Sequence, residues 1–191
     1  DSGVNVIVGL REKSQSFSIV KSDGLIAQEL SLAVEKADII SLLIPDQSMY
    51  NSYFNYIHSN LKIGQTLLFS HGYNIFYKKI IPPEYVNVIM VAPSGAGVVV
   101  RNAYKKGSGV PNLIAIHQDY SKTSIDIALS YSKAIGGTKA GAFLSTFKEE
   151  TESDLFGEQA VLCGGIPALI QSAFEILVEE GFQPIVAWYV C

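Results

Sequence analysis

The hydrophobic positions of this chain fall into short runs that alternate with stretches of helix-like spacing. Most runs are apolar on both faces, which is typical of strands in a parallel sheet covered by helices. Glycine, proline or a polar turn ends most of them, and helical patterns separate several of them. The predicted strands are residues 4–10, 39–44, 65–70, 86–91, 112–117 and 140–146, and the clearest predicted helices are residues 31–35, 49–57 and 123–135.

This alternation predicts an α/β fold, a doubly wound parallel sheet of the Rossmann type over residues 1–145. The pattern of hydrophobic and polar residues then changes. An acidic segment leads into residues 155–190, which are helical in pattern and contain no further clear strand. We therefore expect a second, all-helical domain to begin at residue 146 and to include residues 146–191. Doubly wound sheets bind ligands beyond the carboxyl ends of their strands, which directs attention to loops 11–16, 45–49 and 71–74.

The amino-acid composition excludes several classes of protein. Of 191 residues, 48% are apolar and 17% are charged, which excludes a disordered chain. The net charge of −4 offers no basic face for nucleic acid, and no apolar run approaches the roughly 18 residues of a membrane span. Two cysteines, Cys163 and Cys191, lack the spacing of a metal site and are expected to be buried, reduced thiols of a cytosol-like compartment.

Three residues after the first predicted strand suggest a phosphate contact. Arg11, Ser14 and Ser16 stand where an acidic residue would bind a ribose 2′-hydroxyl, whereas a guanidinium and hydroxyls suit a 2′-phosphate. Glu12 adds a like charge near that phosphate unless it points away. The alternative is a solvated turn with a serine at the start of a helix.

Two further positions could carry chemistry. His71 ends an apolar strand, so its imidazole would face the cleft and titrate near neutral pH. Asp154 and Glu158 are four positions apart and share one helical face, where a hard cation such as Mg²⁺ would relieve their repulsion. The alternative for acidic residues at this place is a complement to the helix dipole, for which the other glutamates of 149–152 are better candidates.

Taken together, these segments resemble the ketol-acid reductoisomerases, also called acetohydroxy-acid isomeroreductases. The longest matching stretch is unbroken over residues 146–165, and the resemblance covers essentially the whole chain. The shorter matching motifs are Val8-Gly9-Leu10-Arg11-Glu12, Leu43-Ile44-Pro45-Asp46, Ser70-His71-Gly72-Tyr73-Asn74-Ile75, Val91-Ala92-Pro93, Gly109-Val110-Pro111, Ala115-Ile116-His117-Gln118-Asp119 and Ala134-Ile135-Gly136-Gly137.

The resemblance implies a fold and a set of roles. The fold is an N-terminal Rossmann domain followed by an all-helical, knotted domain. The first strand with its glycine fingerprint would precede Asp1, and further metal-ligand glutamates would follow Cys191. His71 matches the active-site histidine, Asp154 a carboxylate that bridges two Mg²⁺ ions, and Glu158 a ligand of one of them. The positions that match NADPH contacts are Arg11, Ser14, Ser16, Asp46, Gln47, Ser48, Met49 and Gly97.

The implied activity converts 2-acetolactate or 2-aceto-2-hydroxybutyrate into 2,3-dihydroxy acids for valine and isoleucine synthesis, using NADPH and Mg²⁺. One position departs from the family, because Ser94 stands where the family has an active-site lysine. An alternative hypothesis is therefore a catalytically degenerate relative that keeps NADP binding. The expected partner is a small 2-acetohydroxy acid, with no nucleic acid and no membrane, and the complete protein is expected to be a homo-oligomer. The expected location is the cytoplasm, or a plastid in a plant or alga.

Overall fold

The computed structural model describes residues 2–191 and divides the chain into two units, residues 1–150 and residues 151–191. Strands and helices alternate in unit 1, and unit 2 is helical throughout its regular structure. The predicted α/β class with a parallel sheet is confirmed.

Seven strands form two sheets in the described part of unit 1. β1 and β2 pair in parallel, and the other five lie in the order β3-β4-β5-β6-β7. All neighbours in the larger sheet are parallel except β5 and β6. The strands are β1 Ile7–Leu10, β2 Ile26–Glu29, β3 Ile39–Leu42, β4 Thr66–Phe69, β5 Asn87–Pro93, β6 Asn112–Gln118 and β7 Ala142–Leu144.

The helices connect these strands and continue into unit 2. They are α1 Ser16–Ser22, α2 Leu30–Lys36, α3 Asp46–Ser52, α4 Tyr73–Phe76, α5 Gly97–Lys105, α6 Ser124–Ala134, α7 Phe147–Gly157, α8 Gly165–Glu179 and α9 Pro184–Val190. Single turns of 3₁₀ helix occur at His58–Asn60 and Gly137–Lys139, and π-helical turns occur at Tyr53–Ile57 and Glu158–Leu162.

The core lies on both faces of the larger sheet. Along β4, Leu67 and Phe69 belong to one buried cluster, whereas Leu68 between them belongs to the other. This division follows from the two-residue period of a strand, which sends alternate side chains to opposite faces. Helix α6 covers the Leu68 face, and helices α2, α3 and α4 contribute to the other. Burial on both faces explains why the strand runs are apolar without alternation.

Two details differ from the sequence-based expectation. No strand is predicted between residues 10 and 39, but β2 forms at Ile26–Glu29. Its residues are only partly buried, so its hydrophobic signal is weak, and its pairing with β1 is a tertiary contact that local pattern does not encode.

The second difference is the direction of β6, which runs antiparallel to β5 although a wholly parallel sheet was expected. The reason lies in the connection between them. The Ser94 backbone N–H donates to the Pro111 carbonyl at 2.9 Å, so α5 and the turn after it return the chain to the edge at which β5 ended. Strand β6 therefore starts from that edge and runs back along β5.

Unit 2 exposes much of its apolar surface. No residue of α8 is buried, and Ala187 is the buried residue of α9. Cys163 and Cys191 are both exposed, so the expectation that they are buried is wrong. Cys163 follows the π-helical turn and Cys191 follows α9, and little of unit 2 packs against either segment.

The helical run Phe147–Glu179 is, by length and composition alone, long and apolar enough to cross a membrane. No such run was expected, because glycine, glutamine, serine and eight charged residues interrupt its apolar residues. The same composition is expected of a helix that other helices cover in a soluble protein.

Tyr53 illustrates how unit 1 buries a titratable group. Its side chain is fully buried, and its hydroxyl lies within hydrogen-bond distance of Nδ1 of His58, at 3.2 Å. Burial raises the pKa of the Tyr53 phenol well above its ordinary value, with a smaller contribution from Tyr85. The folded state therefore keeps this proton at a pH where the unfolded state releases it, so the associated stability is present below pH 10 and is lost as the pH rises further.

We expect Tyr53→Phe to lower the free energy of unfolding by about 1 kcal/mol at neutral pH, because one hydrogen bond is lost. The same substitution should make that free energy fall less steeply above pH 10. Urea unfolding at several pH values measures both effects. Tyr50→Phe on α3 is the control, since that tyrosine is exposed. Equal alkaline slopes in wild type and Tyr53→Phe would show that Tyr53 does not cause the pH dependence.

Candidate functional site

The carboxyl ends of β3, β4 and β5 lie side by side, because these strands are parallel neighbours. The chain leaves these ends at Leu43, Ser70 and Ser94, and the first two lead into loops 45–49 and 71–74, which the sequence singled out. Residues carried by three separate loops therefore meet at one edge of the sheet, which is where open α/β sheets bind ligands. His71 follows β4, the central strand of the three.

His71 is held by a buried carboxylate of unit 1. Its Nδ1 lies 2.9 Å from Oε1 of Glu150, and the backbone N–H of Gly72 donates to Oε2 of the same carboxylate at 2.8 Å. Glu150 is 4% exposed, whereas the side chain of His71 is 21% exposed. One carboxylate therefore fixes both the imidazole and the backbone of the turn that carries it.

This contact determines which ring nitrogen is presented. A carboxylate can only accept a hydrogen bond, so the short contact to Glu150 requires the proton on Nδ1 of His71. In the neutral ring the other nitrogen, Nε2, is then the acceptor. A neutral histidine in this arrangement can accept a proton at Nε2, and the carboxylate at Nδ1 would stabilise the resulting positive charge.

Glu150 is the candidate functional residue that the sequence did not single out. Its sequence position predicts a complement to the helix dipole, as for Glu149 and Glu152, and it does lie in the first turn of α7. Glu149 and Glu152 are exposed, in agreement with that expectation, but Glu150 is buried and bound to the His71 turn. A usable signal was its spacing, because only Glu150 of the three stands four positions before Asp154 and so shares its helical face.

The same turn is also bound from the loop after β3. Nδ2 of Asn74 donates to Oδ1 of Asp46 at 2.7 Å and lies 3.4 Å from the sulfur of Met49. Asp46 begins α3, Gln47 and Ser48 are exposed on its first turn, and Met49 is 4% exposed and packs in the core. Their contact with a cofactor stays a prediction.

The residues proposed for a 2′-phosphate form a tight turn after β1. The backbone N–H of Ser14 donates to the Arg11 carbonyl at 3.0 Å, with Lys13 at a positive φ of 64°. Ser14 Oγ accepts from the backbone N–H of Ser16, which begins α1. The structure brings Arg11, Ser14 and Ser16 together in one turn with Arg11 exposed, so a phosphate contact there stays a prediction with suitable geometry.

The glycine loop after β5 carries the remaining predicted cofactor contact. Gly97 begins α5, and a Cβ placed on it would have no atom within 4 Å, so packing within this chain does not require glycine there. Ser94 is exposed at the end of β5, the strand next to the one that carries His71.

The predicted metal ligands lie in unit 2. Asp154 is in α7, Glu158 begins the π-helical turn that follows it, and both side chains are exposed. Two carboxylates one helical turn apart offer the oxygen-only donors that Mg²⁺ prefers, so the donor chemistry fits that ion. Magnesium binding by this pair stays a prediction.

Two family models match the chain. Residues 1–141 match the model described as acetohydroxy acid isomeroreductase, NADPH-binding domain. Residues 147–191 match the model described as ketol-acid reductoisomerase, C-terminal domain. The two matches follow each other along the chain and leave only a few residues between them.

Solved structures agree with these matches. The chain is similar to an NADH-preferring ketol-acid reductoisomerase from an uncultured archean, with a TM-score of 0.94 and 45% identity, over 100% of this chain and 59% of that one. A putative oxidoreductase from Jannaschia sp. CCS1 gives a TM-score of 0.74 at 11% identity, over 96% of this chain and 68% of that one.

A semialdehyde dehydrogenase NAD-binding protein from Cupriavidus necator, solved with calcium and NAD, gives a TM-score of 0.70 at 16% identity. The match covers 96% of this chain and 68% of that one. At such identities the likeness of the last two concerns the fold alone. The present chain spans 59% of the length of the solved protein with which it shares 45% identity.

Proposed function

The chain belongs to the ketol-acid reductoisomerase family, and we propose that the full-length protein converts 2-acetohydroxy acids into 2,3-dihydroxy acids. The proposed substrates are 2-acetolactate and 2-aceto-2-hydroxybutyrate, which lead to valine and isoleucine. The observation that carries the proposal is the buried Glu150 carboxylate that orients His71 at the carboxyl edge of the sheet. The family membership supplies the reaction, and this geometry supplies a group able to move its proton.

The reaction has two steps with different demands. First, the C2 hydroxyl loses its proton while an alkyl group moves with its electron pair from C2 to the neighbouring carbonyl carbon. C2 thereby becomes a ketone, and the oxygen on C3 takes up a proton. We propose that Nε2 of His71 accepts the hydroxyl proton and returns it to the C3 oxygen, with Glu150 stabilising the imidazolium in between.

The second step reduces the new C2 ketone with hydride from a nicotinamide cofactor, and solvent supplies the accompanying proton. The carboxyl edge of the sheet would orient the cofactor toward the substrate. Magnesium ions held by Asp154 and Glu158 would polarise the two substrate oxygens.

An assay of the full-length protein tests this function. With saturating 2-acetolactate, Mg²⁺ and NADPH or NADH, we expect loss of the reduced cofactor and a 2,3-dihydroxy acid identified by mass spectrometry. No turnover under these conditions would remove the proposal.

Ser94 favours a second candidate function, a degenerate relative that binds NADP without catalysis. The serine is exposed at the end of β5 and provides no positive charge where the family has a lysine. The variant Ser94→Lys separates the two functions in the same assay. Activity that appears only in the variant would support degeneration, whereas comparable turnover in both proteins would support the enzyme.

We further propose that NADPH is the preferred cofactor. Support comes from the family model, which is named for NADPH binding, and from the turn that places exposed Arg11 beside two serines. The solved relative is described as NADH-preferring, so the preference of this chain needs its own measurement.

Arg11→Ala is expected to raise KM for NADPH about 10- to 100-fold, because a charge-assisted hydrogen bond to the 2′-phosphate is lost. KM for NADH should change less than about threefold, since NADH has no such phosphate. Steady-state kinetics with each cofactor measures both values. Lys13→Ala is the control, because Lys13 is an exposed cation of the same turn. Equal changes for the two cofactors would contradict a phosphate contact.

The assembly and location of the protein are also proposals. Exposed apolar side chains in unit 2, including Leu169, Trp188 and Tyr189, favour burial against further chain or a second copy, since patches of this kind mark interfaces. We propose a soluble homo-oligomer, cytoplasmic or plastidic, that binds a small 2-acetohydroxy acid and neither nucleic acid nor membrane. Light scattering of the full-length protein measures the oligomeric state, and a monomer would contradict it.

A further inference from the structure

The turn that carries His71 is bound by two carboxylates from different parts of unit 1. Glu150 binds the imidazole of His71 and the N–H of Gly72 on one side. Asp46 accepts from the amide of Asn74 on the other. Asn74 lies only three positions after His71, in the four-residue helix α4. The position of the imidazole therefore depends on both attachments.

The Asn74–Asp46 contact connects the two loops proposed to serve cofactor and proton transfer. Asp46 begins α3, whose first turn follows β3, and α4 follows the neighbouring strand β4. The Nδ2···Oδ1 distance is 2.7 Å and Asn74 is 1% exposed, so this hydrogen bond to a carboxylate is short and shielded from water. The second amide hydrogen faces the sulfur of Met49, which limits rotation of the amide.

We propose that Asn74 is a positioning residue that couples cofactor binding at the Asp46–Met49 turn to the orientation of His71. The inference rests on the proposed function for its catalytic consequence, but the coupling itself is a property of this chain. Asn74 contacts no reacting atom in this proposal. A cofactor that orders the first turn of α3 fixes Asp46, and Asp46 then fixes α4 and the histidine that precedes it.

The competing explanation is that Asn74 only stabilises the fold. Asn87 offers a matched control, because it is fully buried and its Nδ2 donates to Thr66 Oγ1 at 3.2 Å. It stands at the start of β5, the opposite end of the strand from Ser94. A purely structural asparagine should behave as Asn87 does.

The experiment compares Asn74→Ala with Asn87→Ala in the full-length protein. We expect both variants to lose thermal stability, but only Asn74→Ala should raise Kd and KM for NADPH about tenfold and lower kcat by a similar factor. KM for 2-acetolactate should stay within about twofold of wild type, because the substrate is not held by this contact.

Exchanging donor and acceptor provides the rescue. Asn74→Asp alone places two carboxylates against each other and should be the most damaging single substitution at this position. The double variant that combines Asp46→Asn with Asn74→Asp restores one donor and one acceptor. Its affinity for NADPH should be at least about tenfold higher than that of Asn74→Asp.

A spectroscopic measurement keeps the coupling testable without turnover. In wild type, addition of NADPH should shift the ring ¹³Cε1–¹H signal of His71. The signal is assigned by its absence in His71→Gln. In Asn74→Ala the NADPH-induced shift should be largely lost. If the wild type is inactive but its His71 signal still shifts, and the shift is lost in Asn74→Ala, the proposed function is refuted and the coupling is supported. Unchanged cofactor affinity in Asn74→Ala, absence of rescue, or an equal His71 shift in both proteins would overturn the coupling.

Discussion

Replacing Glu150 with glutamine is expected to lower kcat about 10²- to 10⁴-fold while the protein stays folded. The side chains have the same shape, so burial and packing on α7 are preserved. The carbonyl oxygen of the glutamine can accept from Gly72, but its NH₂ group then faces Nδ1 of His71. The ring must place its proton on Nε2 to accept from that amide, so the nitrogen proposed to take the substrate proton is no longer an acceptor.

The expected change has a readout besides rate. The ¹⁵N chemical shifts of His71 report its tautomer directly, with the proton on Nδ1 in wild type and on Nε2 in Glu150→Gln. Glu149→Gln is the control, because it removes the same charge from the same helical turn at an exposed position. That variant should keep kcat within about twofold, since a surface charge near a helix terminus has only a small energetic effect.

A second substitution at the same position separates orientation from stability. Glu150→Leu leaves the Gly72 N–H and the His71 Nδ1–H without their acceptor, which should cost about 2–4 kcal/mol in unfolding free energy.

Near-normal kcat and an unchanged tautomer in Glu150→Gln would show that the carboxylate serves the fold and not the reaction.

The strands could be predicted wherever burial is two-sided. β4 and β5 are apolar at successive positions because helices cover both faces of the sheet, and that pattern can be recognised without tertiary information. β2 could not be predicted, because half of its residues are exposed and its pairing with β1 is not encoded locally. The reversal of β6 could not be predicted either, because it is expressed in pairing between residues distant in sequence, such as Ser94 with Pro111.

The candidate site shows the same limit. The position of His71 follows from local sequence, since a residue directly after a parallel strand lies at the ligand-binding edge. Its partner does not, because Glu150 comes 79 positions later and looks like any acidic residue in a first helical turn. Besides its spacing to Asp154, only burial distinguishes it from Glu149, and that burial depends on how the first turn of α7 packs within unit 1.

Asp154→Asn is expected to give the largest loss of all, at least about 10³-fold in kcat/KM at a fixed Mg²⁺ concentration. The substitution keeps the size of the side chain and removes the charge that a hard cation requires. Glu158 would remain as a single carboxylate on that face, which is a much weaker site for Mg²⁺ than the pair. The Mg²⁺ concentration for half-maximal activity should therefore rise by about 100-fold or more.

A binding readout makes this test independent of turnover. Added Mg²⁺ should raise the melting temperature of the full-length wild type, since an ion that binds only the folded state stabilises it, and this increase should be largely absent in Asp154→Asn. Glu152→Gln removes an exposed charge from the same helix, two positions away and therefore on a different face, and should keep the increase. If Asp154→Asn and Glu152→Gln retain the same response to Mg²⁺, the predicted ligand is wrong and the metal, if bound, is held by other residues. Loss of the response in Asp154→Asn alone would instead place the metal at the start of unit 2, on the helix that also carries Glu150.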